Sequence, residues 1–369
     1  MSKKYLITLK PQGAFYFGGE YSFGTGDKTD SLASYIVESN YFPQQTSLLG
    51  MLRFWLLRND SVAFDCSINR IINKEVAEKI IGSKSFSAKE NRTFGKILKV
   101  GTCQIKKGND EFLLPMPLDF ELDVDFRKAL TVSYNDIEKK MPKIQKKGTD
   151  DEYTGKNPIY SKLYSTKKQS PVEYEEVFTE DRRVGIERDH KTGKVDDGNL
   201  YKQIFYRLNE DCSFVFEAEF DDSTVLPENN QLVELGGDSS KFILSYEEIK
   251  DETKMEYGNE VKLPSGDKTK VVLLSDAFID NDNSIFSITE ITPMRFLETL
   301  VKENGKYHRL TNKEVQDKED KLIKKSDRYS LYKRGSVFYF DEKQATAFIE
   351  NNKKENFKQI GYNNFQIIK

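Results

Sequence analysis

The sequence predicts an α+β fold, and three observations support this class. Short aromatic stretches alternate apolar and polar residues, as strands with one buried face do; residues 213–220 (SFVFEAEF) are the clearest example. Apolar residues recur at helical spacing at Leu48, Leu52, Trp55 and Leu56. No heptads and no repeat period run along the chain, and elements of both kinds follow one another in mixed order. This pattern favours an α+β fold over a doubly wound parallel sheet.

The N-terminal third is predicted to contain a strand, a glycine-rich loop and a second helix besides the one described above. Residues 4–9 alternate as a strand does, and the loop at 13–26 interleaves glycine with aromatic residues. A short helix is expected over 74–81, because Asn73 is a suitable N-cap and Gly82 a suitable C-terminal stop.

The remainder is predicted to be mainly β-structure. Residues 97–105 and 111–114 flank one polar turn, and residues 201–208 and 213–220 flank another, so each pair is expected to form a hairpin. Between about 122 and 181 the chain is polar and rich in Lys and Glu, which indicates an insertion with some helix and loosely packed loop. The last third is expected to contain strands at 270–278, 284–290 and 335–340 and a helix from about 341.

Length and composition limit the classes of protein that the chain can belong to. With 369 residues, 37% of them hydrophobic, it can form one large or two medium cores, and we expect two domains. The longest apolar run near the N-terminus, residues 48–57, is far shorter than the roughly 20 residues of a bilayer span. Residues 1–9 lack the features of a secretory signal. We therefore expect a cytoplasmic protein without membrane contact.

Residue types that commonly carry catalysis are scarce. Cys66, Cys103 and Cys212 are odd in number and have no CxxC spacing, so we expect reduced structural thiols and neither a disulfide framework nor a four-thiolate zinc site. His190 and His308 stand far apart in polar surroundings. The chain contains no GxxxxGK[ST] loop, no GxSxG elbow and no HExxH helix. We therefore expect no catalytic residue, no metal and no cofactor.

Charge is dense but balanced, with 57 Lys and Arg against 60 Asp and Glu, so net charge gives no argument for nucleic acid. Local distribution is more informative. A basic cluster that ends in Lys333 and Arg334 leads into the aromatic strand at 337–340, and aromatic side chains beside cations can stack bases while the cations neutralise phosphates. The alternative is a solvated lysine-rich face.

Two further segments have features of an anion or nucleotide site. The hydroxyls of Thr46 and Ser47, with the free backbone amides of a first helical turn, suit a phosphate; a simple helix cap is the alternative. Gly18 and Gly19 stand beside aromatic residues, so a ligand can approach the backbone next to stacking faces. Tight-turn packing is the alternative there.

Three segments, in this order, resemble one family. Residues 41–53 (YFPQQTSLLGMLR) are similar to its pattern of aromatic, Pro, polar pair, small hydroxyl residue and Leu-x-Gly-x-Leu-Arg at the first helix. Residues 183–201 (RVGIERDHKTGKVDDGNLY) are similar to its long hairpin, and residues 235–241 (LGGDSSK) to its Gly-Gly-acidic segment. Of the family's glycine-rich C-terminal loop, Gly361 is the residue that remains. The chain thus resembles the RAMP-superfamily subunit that binds the 5′ handle of the guide RNA (crRNA) in Cmr-type, type III-B CRISPR effectors.

The resemblance implies a fold of two ferredoxin-like, RRM-related domains. The first would span 1–225 and carry both the polar insertion (about 122–181) and a projecting β-hairpin (183–201). The second would span 226–369. The centre of the hairpin has few apolar residues, so a merely solvated loop is the alternative to a tip that contacts RNA.

The resemblance also implies a function: a non-catalytic scaffold that holds the crRNA 5′ handle for antiviral defence. Its expected partners are the large polymerase/cyclase subunit and the backbone RAMP subunit that carries target-RNA cleavage. The residues expected to bind RNA are Gly18, Gly19, Gln45, Thr46, Ser47, Arg53, Arg182, Arg183, His190, Lys191, Lys194, Tyr201, Lys241, Lys333, Arg334 and Gly361. Two alternatives remain: a crRNA-processing endoribonuclease of the same superfamily, which would need a general base or a cation cluster at the scissile phosphate, and an interaction protein without RNA.

Overall fold

The structure, a computed structural model, describes residues 2–19, 21–23, 35–128, 140–153, 161–186, 200–250, 269–301, 321–340 and 344–368. The chain divides into two compact units. Unit 1 comprises Met1–Ser83, Thr93–Phe112 and Glu173–Lys250. Unit 2 comprises Lys84–Arg92, Leu113–Val172 and Asp251–Lys369.

Strands outnumber helices in the described part of the chain. The strands up to residue 172 are β1 (Ser2–Pro11), β2 (Tyr21–Phe23), β3 (Tyr35–Glu38), β4 (Phe64–Asp65), β5 (Arg70–Ile71), β6 (Ile97–Val100), β7 (Gln104–Lys107), β8 (Glu111–Pro115), β9 (Leu122–Lys128), β10 (Lys140–Lys146), β11 (Leu163–Ser165) and β12 (Ser170–Val172). Those that follow are β13 (Phe178–Ile186), β14 (Leu200–Leu208), β15 (Cys212–Asp221), β16 (Gln231–Glu234), β17 (Lys241–Glu248), β18 (Lys270–Leu273), β19 (Phe286–Ile288), β20 (Ile291–Met294), β21 (Leu297–Val301), β22 (Lys321–Lys325), β23 (Tyr329–Tyr332), β24 (Val337–Tyr339) and β25 (Phe365–Ile368). The α-helices are α1 (Gln45–Arg58), α2 (Lys74–Ile81), α3 (Gln344–Asn351) and α4 (Glu355–Gln359). The predicted α+β class is confirmed.

Unit 1 is built on two sheets. The first has the order β7-β15-β1-β17-β16, with β6 also on β15, and these neighbours are antiparallel. The alternation predicted for β15 is confirmed, because Phe214, Phe216 and Phe220 are completely buried. The second sheet has the order β13-β14-β3-β2, in which β14 and β3 are parallel. Aromatic side chains such as Phe15 and Phe242 fill much of the core.

The two predicted helices of unit 1 are both present: α1 buries the apolar residues at helical spacing, and α2 has a signal at each end. In α1 the residues at helical spacing, among them Leu48 and Leu52, are buried. In α2 the side chain of Asn73 accepts a hydrogen bond from the Val76 amide at 3.2 Å, and the chain leaves the helix at Gly82 with φ of 75°.

Unit 2 contains a four-stranded sheet of order β19-β24-β18-β25, which is buried on both faces. Val271 and Leu273 of β18 pack on one face with α3, whose Phe348 is fully buried. Val272 belongs to the core cluster of the other face, together with Leu114 of β8. Burial on both faces explains why Val271, Val272 and Leu273 are consecutive apolar residues rather than alternating with polar ones.

One predicted hairpin is wrong. The aromatic stretches 201–208 and 213–220 both form strands, but β14 pairs with β13 and β3, whereas β15 pairs with β1, β6 and β7. The connecting residue Asn209 redirects the chain: its side chain donates to the Glu176 carbonyl at 2.6 Å, and its own carbonyl accepts from the Cys212 amide. Alternation indicates a strand but does not identify its partner.

The other predicted hairpins are borne out over the residues described. The start of β8 follows β7 through a turn in which Gly108 has φ of 59°, and the two strands are neighbours in the sheet. Strands β13 and β14 are antiparallel, in register from Phe178↔Leu208 to Ile186↔Leu200. The tip of that hairpin, 187–199, lies outside the described residues.

The division into units differs from the predicted boundary at residue 225. Strand β17 pairs with β1, and β16 pairs with β17, so the first sheet extends unit 1 to Lys250. Most of the expected insertion, residues 122–172, belongs to unit 2. Its described residues form strands β9 to β12, where helix and loosely packed loop were expected.

All three cysteines are among the described residues, and they form no disulfide. Cys103 and Cys212 are buried, whereas Cys66 is exposed. Burial, together with a hydrogen bond to Asp211, raises the pKa of the Cys212 thiol to about 12, so this thiol stays protonated and unreactive near neutral pH.

Among the described residues, no helix combines the length and the apolar composition that crossing a bilayer requires.

Candidate functional site

Three segments that are distant in sequence line one open pocket of unit 1. Its volume is about 410 Å³, within the range of roughly 300–1,000 Å³ that is common for small-molecule sites. The loop after β1, the start of α1 and the turn between β16 and β17 supply the lining, which consists of Tyr16, Phe17, Gly18, Gln44, Ser47, Glu234, Leu235, Gly236 and Gly237. The structure therefore brings together the glycine-rich loop, the helix start and the Gly-Gly segment that the sequence singled out.

The loop at Gly18 and Gly19 lies directly against the end of β3. Gly18 has φ of 71°, and its carbonyl accepts from the Asn40 amide at 2.9 Å. A Cβ atom on Gly19 would stand 1.6 Å from the backbone oxygen of Glu38. The Phe17 amide donates to the Ser39 hydroxyl at 2.9 Å. Only glycine fits at position 19, so packing alone is a sufficient reason for this residue.

The start of α1 faces the pocket through Gln44 and Ser47. Gln44 is the N-cap residue, and its side chain makes no capping hydrogen bond. The first turn contains no acidic residue, so the positive end of the helix dipole is not neutralised there. Thr46 and Ser47 are partly exposed. This end of α1 can therefore attract a negatively charged or hydrogen-bond-accepting group.

Gln45, although expected to bind RNA, uses its side chain inside the unit. Its Nε2 donates to the Gly101 carbonyl at 2.8 Å, and its Oε1 accepts from the Cys103 amide at 3.3 Å. The side chain is 2% exposed. A single strand was predicted over 97–105, but the structure has two strands, β6 and β7, with a break between them. The two hydrogen bonds of Gln45 stabilise the backbone at this break.

The turn between β16 and β17 is bonded to the β1 loop. The Gly237 amide donates to the Tyr16 carbonyl at 2.7 Å, and the Tyr16 amide donates to the Ser240 hydroxyl at 3.1 Å. Gly236 has φ of 94°, and a Cβ there would lie 2.3 Å from the Tyr16 oxygen. The two glycines thus allow two backbone segments to form one wall of the pocket.

The guanidinium of Arg183 and the rings of Phe205 and Tyr16 follow one another in space beside this wall. The guanidinium carbon of Arg183 is 3.9 Å from the centroid of the Phe205 ring, and that ring is 5.2 Å from the ring of Tyr16. Asp181 accepts hydrogen bonds from Arg207 and Arg183. These bonds, above all the one from Arg207, hold the pKa of the Asp181 carboxyl below its usual value. Arg183 keeps 47% of its side chain exposed, so it can still meet a ligand.

Arg182, on the other face of β13, is the most exposed of the predicted arginines. Its side chain is 75% exposed and lies 2.7 Å from the Glu180 carboxylate. Arg53 is in contrast half-buried: its Nη2 donates to the Gly82 carbonyl at 3.2 Å, and burial lowers the pKa of its guanidinium. Arg53 thereby supports the C-terminal end of α2.

The remaining predicted residues are distributed over the chain. Lys241 is exposed at the start of β17, in unit 1. In unit 2, Lys333 pairs with Glu290, the Arg334 Nε is 3.7 Å from the Asp276 carboxylate, and Gly361 is buried with φ of 89°. Tyr201 belongs to β14. The predicted His190, Lys191 and Lys194 lie outside the described residues.

Among the described lining residues, Glu234 alone lies outside the segments identified from the sequence, which are 13–26, 41–53 and 235–241. Phe205 extends the wall. Glu234 directly precedes the Gly-Gly segment, which is the one signal that could have indicated it. Among the described residues that line the pocket, Glu234 is the only charged one. No group of three or more His, Cys, Asp or Glu side chains in the described part of the chain could hold a metal ion.

Comparison with known proteins identifies the family. Residues 7–369 match the family model of the CRISPR-associated protein (Cas_Cmr3). No curated protein sequence matches the chain. The match confirms the resemblance to a Cmr subunit that the three segments predicted.

Solved structures show weaker similarity. A chain of the cryo-EM structure of the Type III-B Cmr-beta bound to cognate target RNA is 13% identical, with a TM-score of 0.48 over 98% of this chain and 95% of that chain. A chain of the crystal structure of the Csm3-Csm4 subcomplex in the type III-A CRISPR-Cas interference complex is 12% identical, with a TM-score of 0.37 over 91% of this chain and 93% of that chain. Because these TM-scores are low, the assignment rests on the match of the sequence to the family model. The chain belongs to the Cas_Cmr3 family of CRISPR-associated proteins.

Proposed function

We propose that this Cmr-complex subunit is a non-catalytic RNA-binding scaffold, and that it holds the 5′ handle of crRNA at the pocket of unit 1. The observation that carries the proposal is the convergence on one pocket of two family-like segments, 41–53 and 235–241, with the glycine-rich loop after β1. Each segment alone has an ordinary structural explanation. Neither helix capping nor turn packing requires the three segments to meet at one open cavity.

The chemistry of the pocket suits single-stranded RNA. Unstacked nucleotides are bound by aromatic faces, by arginine planes and by hydrogen bonds to base edges. Tyr16 supplies a ring, Gln44 and Ser47 supply an amide and a hydroxyl, and Arg183 lies on the Phe205 ring that adjoins Tyr16. The first amides of α1 add a site for a phosphate.

Other predicted residues fit the role of phosphate contacts. Arg182 and Lys241 are exposed in unit 1, where a flexible or planar cation can reach a backbone phosphate. Lys333, which is 39% exposed, is the most accessible candidate of unit 2. We include His190, Lys191 and Lys194 in the hairpin tip as further contacts.

We further propose that the chain contains two ferredoxin-like, RRM-related domains and assembles with two protein partners. These are the large polymerase/cyclase subunit and the backbone RAMP subunit that carries target-RNA cleavage. Family membership and the strand-rich α+β fold support this arrangement.

Binding of handle RNA should weaken steeply as salt rises, although the net charge is −3. Lys and Arg side chains that neutralise phosphates release counterions, and about four such contacts on a single strand give a log-log slope near −3. Fluorescence anisotropy with the full chain and a labelled handle RNA would measure the slope. Arg183→Ala should weaken binding and bring the slope about 0.7 closer to zero.

Arg58→Ala is the matched control, because Arg58 is an exposed arginine of unit 1 in the last turn of α1, away from its pocket-facing start. It should leave both affinity and slope unchanged. The RNA should also be recovered intact after incubation, which separates a scaffold from a processing endoribonuclease. A slope near zero, or RNA cleavage that one substitution in the chain abolishes, would contradict the proposal.

A further inference from the structure

The pocket contains a carboxylate where a phosphate-binding surface would be expected to carry cations. Glu234 is the last residue of β16 and is in register with Lys241 of β17. The Glu234 side chain is exposed, and it forms no ion pair with any described residue. An ionised carboxylate only accepts hydrogen bonds and repels phosphate. The part of a nucleotide that lies against Glu234 must therefore present hydrogen-bond donors.

Among the four RNA bases, guanine best satisfies this requirement. Its N1–H and N2–H₂ donors stand side by side on the Watson–Crick edge, so they can meet the two oxygens of one carboxylate. Adenine and cytosine each place a ring-nitrogen acceptor next to a single exocyclic amine. Uracil has one N–H between two carbonyl oxygens. Each of these three bases would put at least one acceptor against a carboxylate oxygen.

The remaining lining residues complement the rest of a guanine. Gln44 and Ser47 carry donors that can reach an acceptor such as O6, and Tyr16 offers an aromatic ring. The turn that follows Glu234 is fixed, because the Gly237 amide donates to the Tyr16 carbonyl at 2.7 Å. Glu234 thus lines the pocket next to a turn whose backbone is bonded to the β1 loop, and the cavity of about 410 Å³ can hold a base with its ribose.

We propose that this pocket selects an unstacked guanine of the bound RNA and that Glu234 accepts hydrogen bonds from its N1–H and N2–H₂ groups. The proposal rests on the proposed RNA-binding function and adds a base preference to it.

The test compares three unstructured RNAs of about twelve nucleotides, a length within the ~4–16 nucleotides of small single-strand binders. The first repeats AAG, the second carries inosine at each guanine and so lacks only the N2 amine, and the third is all adenine. The full chain should bind the guanine RNA roughly tenfold more tightly than the inosine RNA. Glu234→Gln should remove most of this difference without weakening binding of the adenine RNA.

Glu228→Gln is the control, since it removes the same charge from an exposed glutamate of unit 1 that does not line the pocket. It should preserve the guanine preference. Equal affinity of the wild-type chain for the guanine and inosine RNAs, or a preference that survives Glu234→Gln, would overturn this inference and leave the proposed function standing. Failure to bind any of the three RNAs at low salt would instead contradict the proposed function itself.

Discussion

Asp119→Ala is expected to lower the free energy of unfolding of unit 2 by about 3–5 kcal/mol, the range for breaking a buried ion pair. The Asp119 carboxylate lies 2.6 Å from the Lys270 ammonium, and the two side chains are only 5% and 8% exposed. The Tyr339 hydroxyl donates to the same carboxylate oxygen. Removing the carboxylate leaves an ammonium group buried without a counter-charge, which is the source of the cost.

Two further variants separate this cause from simple loss of packing. Lys270→Met added to Asp119→Ala should recover much of the loss, because no uncompensated charge then remains. Asp280→Ala removes a carboxylate that is also 2.6 Å from its lysine, Lys354, but is 46% exposed, so it should cost less than about 1 kcal/mol.

Hydrogen exchange of the peptides that contain β18 and β24 would assign the change to unit 2, while calorimetry gives its size. A single Asp119→Ala chain as stable as Asp280→Ala would show that the pair is not buried as described. A double variant less stable than the single one would show that Lys270 stabilises the fold independently of Asp119.

Gly19→Ala is expected to destabilise unit 1 by about 1–3 kcal/mol and to weaken RNA binding at the same time. The added methyl would lie 1.6 Å from the backbone oxygen of Glu38, so the loop or the end of β3 must move. No side-chain rotation can relieve a contact with a backbone atom. Because Gly18 lines the pocket, the shift would also deform the candidate binding site.

Gly13→Ala is the matched control in the same segment, since a Cβ at that position meets nothing within 4 Å. Thermal unfolding and RNA anisotropy on the two variants would show whether stability and binding change together. If Gly19→Ala were as stable as Gly13→Ala, the backbone at Gly19 could not lie as close to the backbone oxygen of Glu38 as described.

Elements whose signals are local could be predicted from the sequence. Helix α2 is an example: its N-cap Asn73 and its terminal Gly82 are adjacent to the residues that they affect, and both act as expected. Helix α1 was predicted for the same reason, through the periodicity of residues such as Leu48 and Leu52.

Partners that are distant in sequence could not be predicted in the same way. Strands β14 and β15 were both expected, but alternation contains no information on which strand lies alongside, and their sheets differ. Asp119 and Lys270 are 151 residues apart, and neither stands in a pattern that marks an ion pair. The observed end of unit 1, Lys250, differs from the predicted boundary at residue 225 for a related reason. Strand β17 pairs with β1, which is distant from it in sequence.

The candidate site was predicted in part. Family-like segments identified Ser47 and the Gly236–Gly237 turn, and the glycine-rich loop identified Gly18; all of these residues line the pocket. Glu234 was missed because one glutamate among 60 acidic residues has no distinguishing context until its neighbours in space are known. Gln45 shows the converse, since it belongs to a family-like motif but holds Gly101 and Cys103 with its side chain.

Cross-linking of crRNA within the assembled Cmr complex tests the central claim most directly. The guide would carry 4-thiouridine at successive positions of its 5′ handle, and mass spectrometry would identify the cross-linked peptides of this subunit. We predict cross-links to the peptides that contain Tyr16 to Gly18, Gln44 to Ser47 and Glu234 to Gly237, which form the pocket of unit 1. Cross-links from the handle that fall only on other subunits, or only on surfaces of this chain remote from those peptides, would contradict it.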